Sequence, residues 1–257
     1  MIHKTINDMA RCQMVLATDL DGTFLGGTDA DRDALYDWIR THRATVGLVF
    51  VSGRDPAFIE GLCSDGRVPW PDFVVGDVGT TIAQMKDRKV APITALEDEI
   101  AQTWGDRGAR VRAALDGHPG LALQPTPFRY RVSYDMDPDT FDDRATGIVD
   151  ELDADVLISD NRFFDVLPRG ISKGPSLLRL VDHLGVAQTR VLAAGDTLND
   201  LSMLVAGTPA VAVGGAEQML LDALPDAPQI HRAQAIGAAG IMEAVAHFSL
   251  HPAMERA

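Results

Sequence analysis

A short apolar run that stops at two carboxylates and a glycine is the feature that most limits how this chain can fold: Met14-Val15-Leu16-Ala17-Thr18 is followed by Asp19-Leu20-Asp21-Gly22-Thr23. A run without polar alternation fits a strand buried on both faces, which implies a parallel sheet covered by helices. The next segments keep to that plan. Ala34, Leu35, Trp38 and Ile39 recur at helical spacing in a helix expected over 29–42, and Val46-Gly47-Leu48-Val49-Phe50-Val51 reads as a second buried strand. Asp55-Pro56 has the form of an N-cap followed by proline at the first helical position. The last third of the chain repeats the alternation, with helices expected over 174–184 and 201–205 and strands over 190–194 and 210–213. Such alternation builds an α/β sheet with helices on both faces, whose ligands bind at the carboxyl ends of the strands.

Between these stretches the pattern changes. Phe128 to Met136 alternates polar and apolar residues, 138–152 reads as a helix, and short strands are expected near 156–158 and 163–167. This predicts an α+β domain inserted over 86–164, with 1–85 and 165–257 forming the core. Two units also suit a length of 257 residues, close to where a single core stops growing.

Composition narrows the function. Hydrophobic residues at 46% and charged residues at 23% are enough for a folded chain with a sizeable core. A formal net charge of −14 argues against a phosphate-backbone footprint, so no nucleic-acid partner is expected. A phosphorylated ligand would then have to be drawn in by a local cation. Cys12 and Cys63 are too few for a disulfide framework or a four-cysteine zinc site, and both are expected as reduced thiols. Met1-Ile2-His3-Lys4-Thr5 lacks the apolar run of a signal peptide and no apolar stretch is long enough to span a bilayer; a cytoplasmic location without membrane association is expected.

Four motifs carry chemistry. Asp19 and Asp21 project into one loop at a strand end, where one carboxylate can attack phosphorus while the other handles the leaving-group proton; Gly22 lets the backbone turn beside a bound anion. Taken alone, Asp21-Gly22 also fits a surface turn. Ser52-Gly53-Arg54 follows the second strand and offers a hydroxyl and amides for a phosphoryl oxygen, although Arg54 could equally pair with a surface carboxylate. Lys173 stands just before a helix, where it is either an ordinary solvated lysine or the cation that neutralises an attacking carboxylate. Gly195-Asp196-Thr197-Leu198-Asn199-Asp200 places oxygen ligands suited to magnesium at another strand end, with Asn199 or Asp200 also able to cap a helix.

In this order, each at a strand end, the motifs resemble the four signatures of the haloacid dehalogenase superfamily. The resemblance implies a Rossmann-like core and roles residue by residue. Asp19 would be the nucleophile and Asp21 the general acid and base. Ser52 and Lys173 would bind the phosphoryl group, assisted by Gly22, Thr23, Gly53, Arg54 and Asn199. Asp19, Asp196 and Asp200 would hold Mg2+, with the Asp21 backbone carbonyl as a further ligand. An aspartate at position 21 marks the phosphatases and mutases of that superfamily, and the insertion is similar to its type IIB cap, which implies a small diffusible substrate. Within the group the chain resembles sucrose-phosphate and mannosylfructose-phosphate phosphatases, through Pro71-Asp72-Phe73, Val78-Gly79-Thr80, Arg131-Val132-Ser133-Tyr134, Asp165-Val166-Leu167-Pro168 and Gly240-Ile241-Met242-Glu243-Ala244. It departs from many relatives at Thr197-Leu198 and Gly214-Gly215-Ala216, so loop shape there differs.

A phosphorylated sugar is the expected partner, with glucosylglycerol phosphate, mannosylphosphoglycerate or trehalose phosphate, a mutase reaction, or a silent magnesium-binding module as alternatives. In the insertion, Arg129, Arg131 and Ser133 share one face of the alternating segment and Tyr134 lies on the other. These four are the candidate sugar-reading residues, against the alternative that the arginines simply face water.

Overall fold

A computed structural model describes residues 4–126 and 128–254. Its strands, in chain order, are β1 (Met14–Thr18), β2 (Val46–Val51), β3 (Phe73–Gly76), β4 (Thr81–Lys86), β5 (Lys89–Pro92), β6 (Leu121–Leu123), β7 (Val132–Met136), β8 (Ala154–Ser159), β9 (Phe163–Pro168), β10 (Val191–Gly195), β11 (Ala210–Gly214) and β12 (Ile230–Ile236). The helices are α1 (Ile6–Ala10), α2 (Asp29–Thr41), α3 (Pro56–Leu62), α4 (Thr94–Trp104), α5 (Arg107–Ala114), α6 (Arg144–Glu151), α7 (Lys173–His183), α8 (Leu201–Leu204), α9 (Gln218–Ala223) and α10 (Ala238–His247).

Eight strands form one sheet in the order β12-β11-β10-β1-β2-β3-β4-β5, parallel except for the β3-β4-β5 meander at one edge. The unbroken apolar runs are explained by burial on both faces. In β1, Val15 and Ala17 join a cluster with Leu177 and Leu180 of α7, while Met14 and Leu16 join the opposite cluster with Leu35 and Ile39 of α2 and Ile241 of α10. Register then makes the site. Thr18 pairs with Ala194 on one side and Phe50 on the other, so the residues that follow each strand emerge along one edge of the sheet.

The insertion forms a second, antiparallel sheet in the order β6-β7-β9-β8. Its helices cover one face, where Tyr134, Phe164 and Val166 pack with Val111 of α5 and Val149 of α6. The other face, carrying Ser133, Ser159, Phe163 and Asp165, looks toward the core sheet's carboxyl edge.

Sheet membership moves the expected boundary of 86–164 at both ends. β5, over 89–92, pairs with β4 and belongs to the core, whereas β9 reaches Pro168 within the insertion's sheet. The hairpin at Asp87-Arg88, both at positive φ, returns the chain to the core before it leaves, and that turn is not visible in apolar periodicity. The helix expected over 138–152 begins only at Arg144, because Asp137 accepts from the Asp139 amide and the Thr140 hydroxyl and holds a turn there. The alternation from Phe128 is a strand only from Val132. Among the described residues no helix is long and apolar enough to cross a membrane.

Candidate active site

Asp19 leaves β1 with its amide bonded to the Ala194 carbonyl (2.8 Å), so the nucleophile candidate is fixed by the β1–β10 pairing itself. The tight turn that follows depends on Gly22. Its φ is +76°, and a Cβ there would lie 2.1 Å from Asp196 Oδ2. Thr23, expected at the phosphate, is buried instead and donates to Asp196 Oδ1 (2.6 Å), orienting that carboxylate.

Lys173 is wholly buried at the start of α7. Its Nζ donates to Asp19 Oδ1 (2.7 Å), Asn199 Oδ1 (2.7 Å) and Asp200 Oδ1 (2.6 Å), which uses all three ammonium hydrogens. Asp200 is equally committed: its Oδ2 accepts from the amides of Asp196 (3.0 Å) and Thr197 (3.1 Å). Arg54 holds the Asp21 carboxylate through Nε (2.8 Å) and Nη2 (3.2 Å), and both side chains are about half exposed. Ser52 is buried under its own loop, with Oγ accepting from the Arg54 amide (3.2 Å).

Asp19, Asp196 and Asp200 each bring a carboxylate oxygen within 4.8 Å of the others. A single ammonium among three such carboxylates leaves the site short of positive charge. Burial pushes the Asp19 carboxyl up to about 8, against the pull of Lys173, and Asp200 and Asp196 push the same way. Burial likewise takes Asp196 to about 7, with Asp200 and Glu217 adding to it. An all-oxygen, charge-deficient cluster fits a hard divalent cation. Mg2+ is one such ion.

A cavity of about 600 Å³ opens above this cluster and is roofed by the insertion. Asp19, Asp21, Gly22, Ser52, Gly53, Arg54, Asp196 and Asn199 all line it. Of the four sugar-reading candidates, Arg131 alone does. Ser133 lies behind, donating to Asp165. Arg129 pairs with Glu97 (2.8 and 2.9 Å) and Thr81 (3.2 Å), outside the cavity, because it precedes the strand instead of alternating within it. Tyr134 is buried on the helix-covered face against Phe164.

The insertion's wall is made instead by Gln124, Thr126, Phe128, Ser159, Asp160, Phe163 and Asp165, which the sequence reading did not select. Asp165 had a signal: it is the one carboxylate in an otherwise apolar strand, Phe163-Phe164-Asp165-Val166-Leu167.

A family model for sucrose-6F-phosphate phosphohydrolase matches residues 12–249. The chain belongs to that family. With it comes membership of the haloacid dehalogenase superfamily, as the motif order implied. The chain is 39% identical over 237 residues to a glucosylglycerol-phosphate synthase of Pseudomonas anguilliseptica, covering 91% of this chain but only 31% of that protein's length. It is 28% identical to a mannosylfructose-phosphate phosphatase of Agrobacterium fabrum, covering 93% of this chain and 98% of the relative. Among solved structures, a sucrose-phosphatase of Synechocystis sp. in complex with sucrose and phosphate superposes with a TM-score of 0.83 at 25% identity, over 93% of this chain and 98% of that one.

Proposed function

We propose that this chain is a magnesium-dependent phosphatase that releases phosphate from a glycosylated sugar phosphate of the sucrose-phosphate or mannosylfructose-phosphate kind. The observation that carries the reading is one cavity joining two chemistries. Its floor holds Asp19 against Lys173, and its roof presents amide, hydroxyl and carboxylate groups suited to a polyol. A volume of about 600 Å³ suits a two-ring ester better than a single small ion.

Lys173 binds only Oδ1 of Asp19, which leaves Oδ2 for attack on phosphorus. As the Asp19–phosphorus bond forms, the bond to the leaving oxygen breaks and that oxygen takes a proton from Asp21. Water then attacks the aspartyl-phosphate while Asp21 takes back a proton, and inorganic phosphate leaves. Asp21 must let go of Arg54 to do this. Their pair is half exposed, so its release costs little. Asp19 and Asp196, with Asp200 behind them, would hold Mg2+, which when bound supplies positive charge to the phosphoryl oxygens.

A second reading, glucosylglycerol phosphate as substrate, is supported by the 39% identity to the glucosylglycerol-phosphate synthase. One kinetic series tests both. We expect kcat/KM for sucrose 6-phosphate, mannosylfructose phosphate or glucosylglycerol phosphate to exceed that for glucose 6-phosphate and fructose 6-phosphate by at least about tenfold, because polar groups left unpaired by a shorter substrate weaken its transition state. Equal efficiency throughout, or preference for the monosaccharides, would reject the glycosyl assignment.

A further inference from the structure

The cavity lining carries an excess of carboxylates over cations. Asp55, Asp160, Asp165 and Glu217 line the cavity in addition to the carboxylates at the phosphoryl end, and Arg54 and Arg131 are the lining cations among the described residues. Both are committed, Arg54 to Asp21 and Arg131 to Asp165. Lys173 is committed at the floor. Arg54 is freed when Asp21 releases it, but it stands with Asp21 at the phosphoryl end, so among the described residues the insertion's wall keeps no uncommitted cation for a second anionic group.

Asp165 is the best-built of these carboxylates. It is 6% exposed, on the cavity face of β9, and its Oδ1 accepts from Arg131 Nη1 (3.3 Å) and from the Ser133 hydroxyl. Its Oδ2 accepts nothing among the described residues and is not sealed off from the cavity. Arg131, itself 7% exposed, lies 3.6 Å over the Phe128 ring and donates through Nη2 to the Gly53 carbonyl (3.1 Å). Its Nε is sealed from the cavity and has no partner among the described residues. One guanidinium thus ties the carboxylate on the insertion to the loop expected to hold the phosphoryl group. The distance between the two is set by the protein.

We propose that Asp165, clamped by Arg131 and Ser133, reads the leaving group's hydroxyls and makes the cavity a charge filter that accepts neutral polyols and rejects leaving groups bearing a carboxylate or a second phosphate. A carboxylate oxygen accepts from a sugar hydroxyl, as a charge-assisted bond, but repels an anion placed in the same spot. This rests on the phosphatase reading above and narrows it. Glycosylated phosphoglycerates and the bisphosphates that a mutase needs fall outside the class.

The test compares two substrates that differ in one group, a hydroxymethyl in glucosylglycerol phosphate and a carboxylate in the corresponding glucosylated phosphoglycerate, on the wild-type enzyme with magnesium. We expect the neutral one to be favoured by roughly 100-fold in kcat/KM. In Asp165→Asn that preference should fall below about tenfold, with a larger loss on the neutral glycosyl ester than on p-nitrophenyl phosphate. Equal wild-type efficiency on the charged pair, or an Asp165→Asn loss of the same size on every substrate, would overturn the filter. Glycerol phosphate against phosphoglycerate repeats the wild-type comparison without the sugar. It keeps the filter testable if Asp165→Asn does not fold, and also if no glycosyl ester is turned over, an outcome that would reject the glycosyl reading instead.

Discussion

Replacing Lys173 with methionine isolates what one buried ammonium does for this site. The side chain has no solvent exposure, and all of its hydrogens go to Asp19, Asn199 and Asp200. Methionine keeps much of the volume but strands two buried carboxylates, and breaking a buried pair from one side costs about 3–5 kcal/mol. For a domain of this size that is a fall of about 6–20 °C in melting temperature. The loss should grow with pH. Asp19 titrates near 8 in the folded protein with Lys173 present, so below that pH it is protonated in both proteins and loses little. Above it the wild type gains an ionised pair that the variant lacks. Thermal unfolding in EDTA at pH 6 and pH 9 gives the readout. A fall of less than about 3 °C at both, or a smaller fall at pH 9, would show that Lys173 does not hold these carboxylates as described.

Asp19→Asn should lower kcat on p-nitrophenyl phosphate by at least about 1000-fold, since an amide cannot attack phosphorus, while its melting temperature in EDTA equals or exceeds wild type, because a charge that burial disfavours is gone. Residual turnover within tenfold would reassign the nucleophile. Gly22→Ala must put a Cβ 2.1 Å from Asp196 Oδ2 at a φ of +76°, so we expect about 1–2 kcal/mol of lost stability and magnesium binding at least tenfold weaker by calorimetry; unaltered affinity would mean that Asp196 is not a ligand. Finally, Asp19 near 8 and Asp196 near 7 keep protons in the folded state that the unfolded chain has already released near its ordinary value of 3.8. Metal-free stability should therefore fall as pH rises from about 4 to 8, and the rise in melting temperature on adding magnesium, which needs ionised carboxylates, should increase over the same window. A magnesium effect that is flat or shrinks between pH 5.5 and 8.5 would refute this.

What the sequence made legible follows from what each residue must satisfy locally. β1, β2, β10 and β11 were readable because burial on both faces leaves an apolar run, and the motifs at their ends were readable because a strand end fixes where a side chain emerges. The insertion was less legible for the same reason reversed. Its strands have one covered face and one that faces a cavity, so Arg131 and Asp165 resemble solvated polar residues until the second sheet is placed above the first. Arg129 and Tyr134 were misread because alternation was extended past the true start of β7 at Val132 and because it does not say which face the helices cover. Thr23 looked like a phosphate ligand because its partner, Asp196, is 173 residues away in the chain.

One segment the sequence tied to the family without a physical reason, Val78-Gly79-Thr80, acquires one from the backbone. Asp77 and Val78 sit at φ 51° and 60°, a region that a β-branched residue enters only under constraint, at a cost of order 1–3 kcal/mol each. The constraint comes from both ends of the site. The Val78 amide donates to the Ser52 carbonyl (3.1 Å) and the Asp77 amide to that of Arg54 (3.1 Å). On the other side the Gly79 carbonyl accepts from the Ser176 hydroxyl of α7 (2.6 Å), and Gly79, at φ 100°, approaches Ser172 so closely that a Cβ would lie 2.4 Å from its carbonyl. The turn between β3 and β4 thus joins the Ser52-Gly53-Arg54 loop to the helix that starts with Lys173. Arg131 comes within 3.8 Å of Asp77 and bonds to the Gly53 carbonyl, so the insertion docks on the same turn. Two strained residues and one close-packed glycine therefore set the phosphoryl-binding loop, the buried lysine and the substrate wall in register with one another, although no side chain of the turn need touch phosphate.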